Sequence, residues 1–257
     1  MRLIADNYVL SATITPSTES PFFPKANLSN QLRSKRFRTT SKSTQNIVFD
    51  LGTAKAVNSF IMLLPKEDAI NLTESATIKI QANATDSWGT PSVDQTLTYD
   101  SDHRQLTYFW GSDQTYRYWR LTVNDGSAVN NYVEISKVIL GDSIDIPGIQ
   151  NGFKIDKVDG TKRNSNEFGS GYFDKYPILK SMKFDWKTLT LTEIEILDAL
   201  FDQYGSYTGM FLTIDELSTN FNKDKYSIYG TLNNSHSLDH INFTLFNSSG
   251  FTFTELN

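Results

Sequence analysis

The 257-residue chain contains no cysteine, which excludes a disulfide framework, a thiolate metal site and a cysteine nucleophile. Charge is sparse: Asp, Glu, Lys and Arg make up 21% of the residues, and 29 acids against 24 bases leave a net charge of -5. A mild acidic excess argues against nucleic acid as the main partner, because binding phosphate needs concentrated cation. Long apolar runs are missing as well. The longest, FIMLL at 60–64, is far shorter than the ~20 residues a membrane-crossing helix needs. The opening MRLIADNYVLSATITPS has one early Arg but no apolar stretch of signal-peptide length, so synthesis and folding in a cytoplasm are expected. There is no GxSxG, no Walker-type GKS or GKT, no GxGxxG, no internal repeat and no low-complexity tract.

Aromatic residues, in contrast, reach 13%, with 12 Tyr and 17 Phe. With so little charge, that mix favours a β-rich protein with adhesive surface. Period-two alternation dominates the first 140 or so residues. Ile47, Phe49 and Leu51 share one face; Phe60, Met62 and Leu64 share another, opposite Val57, Ser59, Ile61 and Leu63. Ala76, Ile78, Ile80 and Ala82 point inward, and Trp119, Leu121 and Val123 alternate with Tyr118, Arg120 and Thr122. Short strands broken by Gly, Pro, Asn, Asp and Ser predict an antiparallel β-sandwich over residues 1–143. GDSIDIPGIQNG, at 141–152, reads as a seam. Beyond it, residues 144–257 are predicted to form a smaller α+β domain. Thr190 and Glu193 fit a capping box; Ile194, Leu197, Leu200, Phe201 and Tyr204 then recur at helical spacing, and Gly205 stands at the expected stop. Strand patterns flank this one helix, so the fold class is mainly β, with the helix packed on a sheet.

No set of residues assembles a reaction centre. His236 and His240 are four apart, which would suit a metal on a helix, but NNSHSLDHINF has poor helix character and reads as a polar loop entering a strand. Asp198 and Asp202 fall on the predicted helix away from its apolar stripe, where carboxylates are simply solvated, whereas a glycosidase needs two facing each other across a cleft. NEFGSGYFD, at 166–174, reads as a turn or hairpin tip rather than a phosphate cradle, and residues 160–175 as an arm ordered by a neighbouring subunit. Arg33, Lys35, Arg36 and Arg38 crowd one short segment. They could hold an anionic sugar or phosphate; pairing with acidic residues of a neighbouring subunit is the favoured reading. Trp88 and Trp110 lie near predicted turns, where an exposed ring can stack on a sugar or anchor an interface. Trp119 belongs in the core. The ligand-binding candidates are therefore Trp88, Trp110, Arg36 and Arg38, with no catalytic residue and no cofactor.

The first domain resembles the discoidin, or coagulation-factor C-type, family of galactose-binding-like sandwiches. The pieces in order are PFFPKANLSN, RSKRFRTT with Phe37-Arg38, NIVFDLG ending in Asp50, Leu51 and Gly52, TYRYWRLTV with Arg117, Tyr118, Arg120 and Leu121, and VEISKVILGD with Glu134. The resemblance implies a jelly-roll sandwich with ligands on loops at one end. In some members it also implies calcium; the matching positions here are Asn27, Asn30 and Glu134, with Asn30 in place of the usual Asp. The second domain resembles minor tail proteins of long-tailed bacteriophages, in the order FKIDKVDG, FDWKTLTLTEIEILDAL, GMFLTIDE and TLFNSSGFTFTEL.

Together these imply a structural component of a phage tail tip or distal tail. It would be homo-oligomeric, in contact with other tail proteins, assembled in the bacterial cytoplasm and carried in the virion. The alternative is an adhesin module recognising host glycans; a third reading, an accessory domain of a secreted enzyme, lacks a visible export signal.

Overall fold

Alternation of apolar and polar side chains builds most of the strands, and the interruptions of that alternation shape the fold. The computed structural model describes residues 1–66, 72–146, 153–165, 171–214, 223–233, 237–242 and 245–257. Two units emerge: Ile4–Ile144 with Asn222–Asp224, and Met1–Leu3 with Asp145–Phe221 and Lys225–Asn257. Both are built from antiparallel sheet.

The strands up to residue 145 are, in chain order, β1 (Arg2–Ile4), β2 (Thr13–Pro16), β3 (Phe37–Arg38), β4 (Gln45–Leu63), β5 (Thr77–Asn83), β6 (Val93–Leu97), β7 (Gln105–Asn124), β8 (Glu134–Ile135), β9 (Lys137–Gly141) and β10 (Ser143–Asp145), of which β1 and β10 join the sheet of the second unit. A six-stranded sheet runs β2-β4-β7-β5-β6, with β9 on β4; β3 and β8 pair separately. The two longest strands, β4 and β7, pair along their length, with register shifts between Asp50 and Lys55 and between Val57 and Ser59. Gly52 takes φ +77°, open to glycine and strained for other residues, and its N–H is held by Asp50 Oδ1 at 2.8 Å. Across these bulges the inward residues switch parity, from Ile47, Phe49 and Leu51 to Phe60, Met62 and Leu64. Both halves of the strand therefore serve one core, completed by Ile78, Ile80, Trp119, Leu121, Val138 and Leu140.

The second unit adds β11 (Phe153–Asp159), β12 (Lys162–Ser165), β13 (Gly171–Asp174), β14 (Ile178–Leu189), α1 (Leu191–Tyr204), β15 (Met210–Thr213), α2 (Lys223–Tyr226), β16 (Ser227–Leu232), β17 (Ser237–Asn242) and β18 (Leu245–Glu255). Its eight-stranded sheet runs β10-β1-β15-β16-β18-β14-β11, with β17 on β18. Aromatic contacts tie its core: Phe184 stacks on Trp186 at 5.8 Å, and Trp186 meets Phe251 edge-on at 5.3 Å. The capping box forms as its residues require. Thr190 Oγ1 accepts from the Glu193 N–H, and Glu193 Oε2 accepts from the Thr190 N–H at 2.8 Å. Ile194, Leu197, Leu200 and Tyr204 are the buried face, and Gly205 ends the helix at φ +53°.

Residues 147–152 of the seam, 166–170 of NEFGSGYFD and His236 lie outside the described residues. His240 is on strand β17. Asp198 and Asp202 are exposed on α1. No described helix is long and apolar enough to cross a membrane.

Candidate functional site

The Arg-rich segment finds its partner within the chain. Glu134, on β8, is 3% exposed, and a carboxylate so buried needs counter-charge. Arg38 supplies Nε and Nη2 to Glu134 Oε2 at 3.1 and 2.8 Å, and Arg36 Nη1 meets Oε1 at 3.3 Å. The Arg38 guanidinium is also layered between Phe23 and Tyr132, 3.9 and 4.0 Å from the two ring centroids. Arg36 and Arg38 thus clamp the 20–38 segment to β8. Pairing with an acid of a neighbouring subunit is what the sequence suggests; for Arg36 and Arg38 the acid is instead Glu134 of the same unit.

The same clamp bears on calcium. The Asn27 amide donates to the Arg36 carbonyl at 2.6 Å, and Asn30 Oδ1 accepts from the Leu32 N–H at 2.8 Å. Glu134 faces two guanidinium groups, so a dication there meets cations instead of open carboxylate oxygens. These residues do not fit a calcium ion. Among the described residues, no group of three or more His, Asp or Glu side chains gathers to hold a metal.

The two tryptophans separate. Trp110 is half-buried and packs on the core, edge-on to Tyr108 at 5.0 Å and to Trp119 at 5.4 Å. Trp88 lies on the 84–92 segment between β5 and β6 and turns onto the outer face of the sheet. Its indole N–H donates to Asp86 Oδ1 at 2.7 Å, and the Arg120 guanidinium lies 4.5 Å from the ring centroid. Arg120 is fixed in turn. Its Nε and Nη2 reach Gln81 Oε1 at 2.8 and 2.6 Å, and Gln81 Nε2 donates to Asp94 at 3.1 Å. Burial lowers the pKa of the Arg120 guanidinium, while Asp94 and Asp86 oppose that shift.

Asn83 braces the segment: its Nδ2 donates to the Ser87 carbonyl at 2.8 Å, and its Oδ1 accepts from the Ala84 N–H at 2.9 Å and from Ser92 Oγ at 3.2 Å. Across β5 and β7, Gln81 pairs with Arg120 and Asn83 with Tyr118, which sets a half-exposed Tyr118 on the same outer face. Arg117 lies 4.8 Å from the Tyr118 ring centroid and grips Asp50 through two bonds of 2.7 and 2.8 Å. That pairing lowers the Asp50 pKa. The product is a half-exposed indole, fixed at one edge and beneath, on a face of amide, guanidinium and phenol groups. Tyr118 does not stand out as a site residue in the sequence, although its alternation with Trp119 already assigns it to the outer face.

No protein-family model and no curated protein match the chain. Solved structures similar to it include the family 32 carbohydrate-binding module of C. perfringens NanJ in complex with galactose (14% identity, 55% of this chain and 100% of that chain, TM-score 0.45). Others are the Streptococcus pneumoniae fucose-binding module SpX-3 (12% identity, 53% and 98%, TM-score 0.44) and the family 32 module of AlyQ in complex with 4,5-unsaturated mannuronic acid (22% identity, 50% and 92%, TM-score 0.40). At these identities and TM-scores, assignment of a ligand rests on the residues described above and not on these proteins.

Proposed function

We propose that the Ile4–Ile144 unit is a glycan-binding module that acts by adhesion and not by chemistry, with the sugar ring lying on Trp88. The observation that supports this most is the fixing of Trp88. A ring held by Asp86 at its edge and lying against Arg120 loses little further freedom on binding, so contact with the apolar face of a sugar is not offset by ordering the side chain. The Tyr118 hydroxyl, with the remaining N–H groups of Asn83 Nδ2 and Arg120, offers donors and an acceptor on the same face for sugar hydroxyl groups. A glycan array followed by calorimetry tests the reading. A dissociation constant of about 1 mM or tighter is expected, weakened at least tenfold (about 1.4 kcal/mol) by Trp88→Ala. Silence across the array, or binding indifferent to Trp88→Ala, removes it.

A second reading, a subunit of a bacteriophage tail, is favoured by one feature of the other unit. Among the described residues, Val158, Tyr172, Phe173, Tyr176 and Ile178 are apolar or aromatic side chains about half or more exposed within one short stretch, surface of the kind that assembly would cover. Mass spectrometry of purified virions from the parent culture decides it, since absence of the chain there rules the reading out.

A further inference from the structure

Strands β12 and β13 pair only with each other among the described residues, and a two-stranded ribbon alone is marginal in water. Yet Tyr172 and Phe173 are 54% and 61% exposed on it. At its base is a groove of about 320 Å³ lined by Gly160, Lys162, Tyr176, Pro177, Leu179 and Asn257. The surroundings are basic, with Lys157, Lys162, Arg163 and Lys175 all exposed. Asp159, which accepts from the Thr161 N–H, and Asp174, which accepts from Asn164 Nδ2, keep their charge, so these four cations face two carboxylates and the balance stays basic.

The same unit carries the complement elsewhere. On α1, Glu195, Asp198 and Asp202 are exposed and follow one another by three and four residues, which makes one acidic stripe. At the C-terminal end of that helix Tyr207 is 76% exposed, its ring lying against Gly205. A basic ribbon with a groove and an acidic stripe with an exposed tyrosine are thus complementary in charge and shape, at two separate places on the chain.

We infer that a second copy of this chain docks here, its Tyr207 entering the groove and its acidic α1 face lying along the basic ribbon. An aromatic anchor in a pocket, ringed by opposite charges, is the usual anatomy of an energetic centre. The two halves differ, so the contact is heterologous and continues into a closed ring or an open chain of copies. The inference is independent of glycan binding and names one partner for the assembly reading. Absence from virions removes that reading and leaves the self-contact standing.

Light scattering of the full chain at about 100 µM and low salt tests it, salt being expected to weaken so charged a contact. The wild type is expected to associate, and Tyr207→Ser to weaken association at least tenfold. Two charge reversals sharpen the test: Lys162→Glu with Lys175→Glu on the ribbon, and Glu195→Lys with Asp202→Lys on the helix. Each reversed chain alone is expected to be monomeric, with circular dichroism confirming its fold, and an equal mixture of the two to associate. A monomeric wild type, association indifferent to these changes, or a mixture that stays monomeric each overturns the proposal.

Discussion

Replacing Glu134 by Gln tests the clamp in the first unit. The substitution keeps the shape and one acceptor, but removes the charge that Arg36 and Arg38 share. Breaking a fully buried ion pair costs about 3–5 kcal/mol, because the stranded charge has no solvent. Here the carboxylate is 3% exposed while the two Arg side chains keep 19% and 24% exposure, so water relieves part of the penalty. The new amide also turns an N–H toward a guanidinium donor, forfeiting hydrogen bonds to a charged group worth about 1.5–3 kcal/mol. The net expectation is a loss of roughly 2–3 kcal/mol, or about 5–10 °C in the melting temperature of this unit. Calorimetry of wild type and variant, each with and without calcium, measures it. Calcium is expected to shift neither protein. A loss under about 0.5 kcal/mol, or a calcium-dependent gain in the wild type, would refute the reasoning.

Three further outcomes follow from the same geometry. Trp110→Ala should lower stability by about 2–4 kcal/mol while leaving glycan affinity in the folded protein unchanged, since the ring packs on Tyr108 and Trp119; unfolding and binding measured side by side check this. Burial, with Asp113 and Asp6 nearby, raises the Asp142 pKa, so its charge opposes folding above the folded-state pKa. Asp142→Asn is therefore expected to stabilise at pH 7 by up to about 1 kcal/mol and to lose that advantage below pH 4, read from denaturation at both pH values. Burial pushes Lys137 down to about 8, below its unfolded value, so the unfolded chain binds more protons from about pH 8 to 10.5 and stability should rise across that window. A urea titration series should show this rise, and Lys137→Met should flatten it.

What local pattern can express, the chain expresses plainly. Thr190 and Glu193 announce the start of α1, and the alternation of Ile78, Ile80 and Ala82 or of Trp119, Leu121 and Val123 marks inward faces that are buried as read. The parity switch in β4 is half visible. Gly52 marks the break, yet nothing nearby shows that Phe60, Met62 and Leu64 rejoin the same core as Phe49. Long-range pairing is what the sequence hides. Arg38 and Glu134 are 96 residues apart, so the charge run looks like a solvated face or an intermolecular surface until the strands that carry it are paired. The two tryptophans differ for a related reason. Trp110 sits within β7 beside Phe109, at a register shift, and its direction is set by Tyr108 and Trp119, whereas Trp88 sits on a connecting segment whose course depends on Arg120 and Gln81.

The most direct test of the central claim is a calorimetric titration of wild type, Trp88→Ala and Trp110→Ala with the strongest glycan from an array. Adhesion through a fixed indole requires binding by the wild type and by Trp110→Ala, and its loss by at least tenfold in Trp88→Ala alone. Equal binding by all three proteins, or by none, contradicts it.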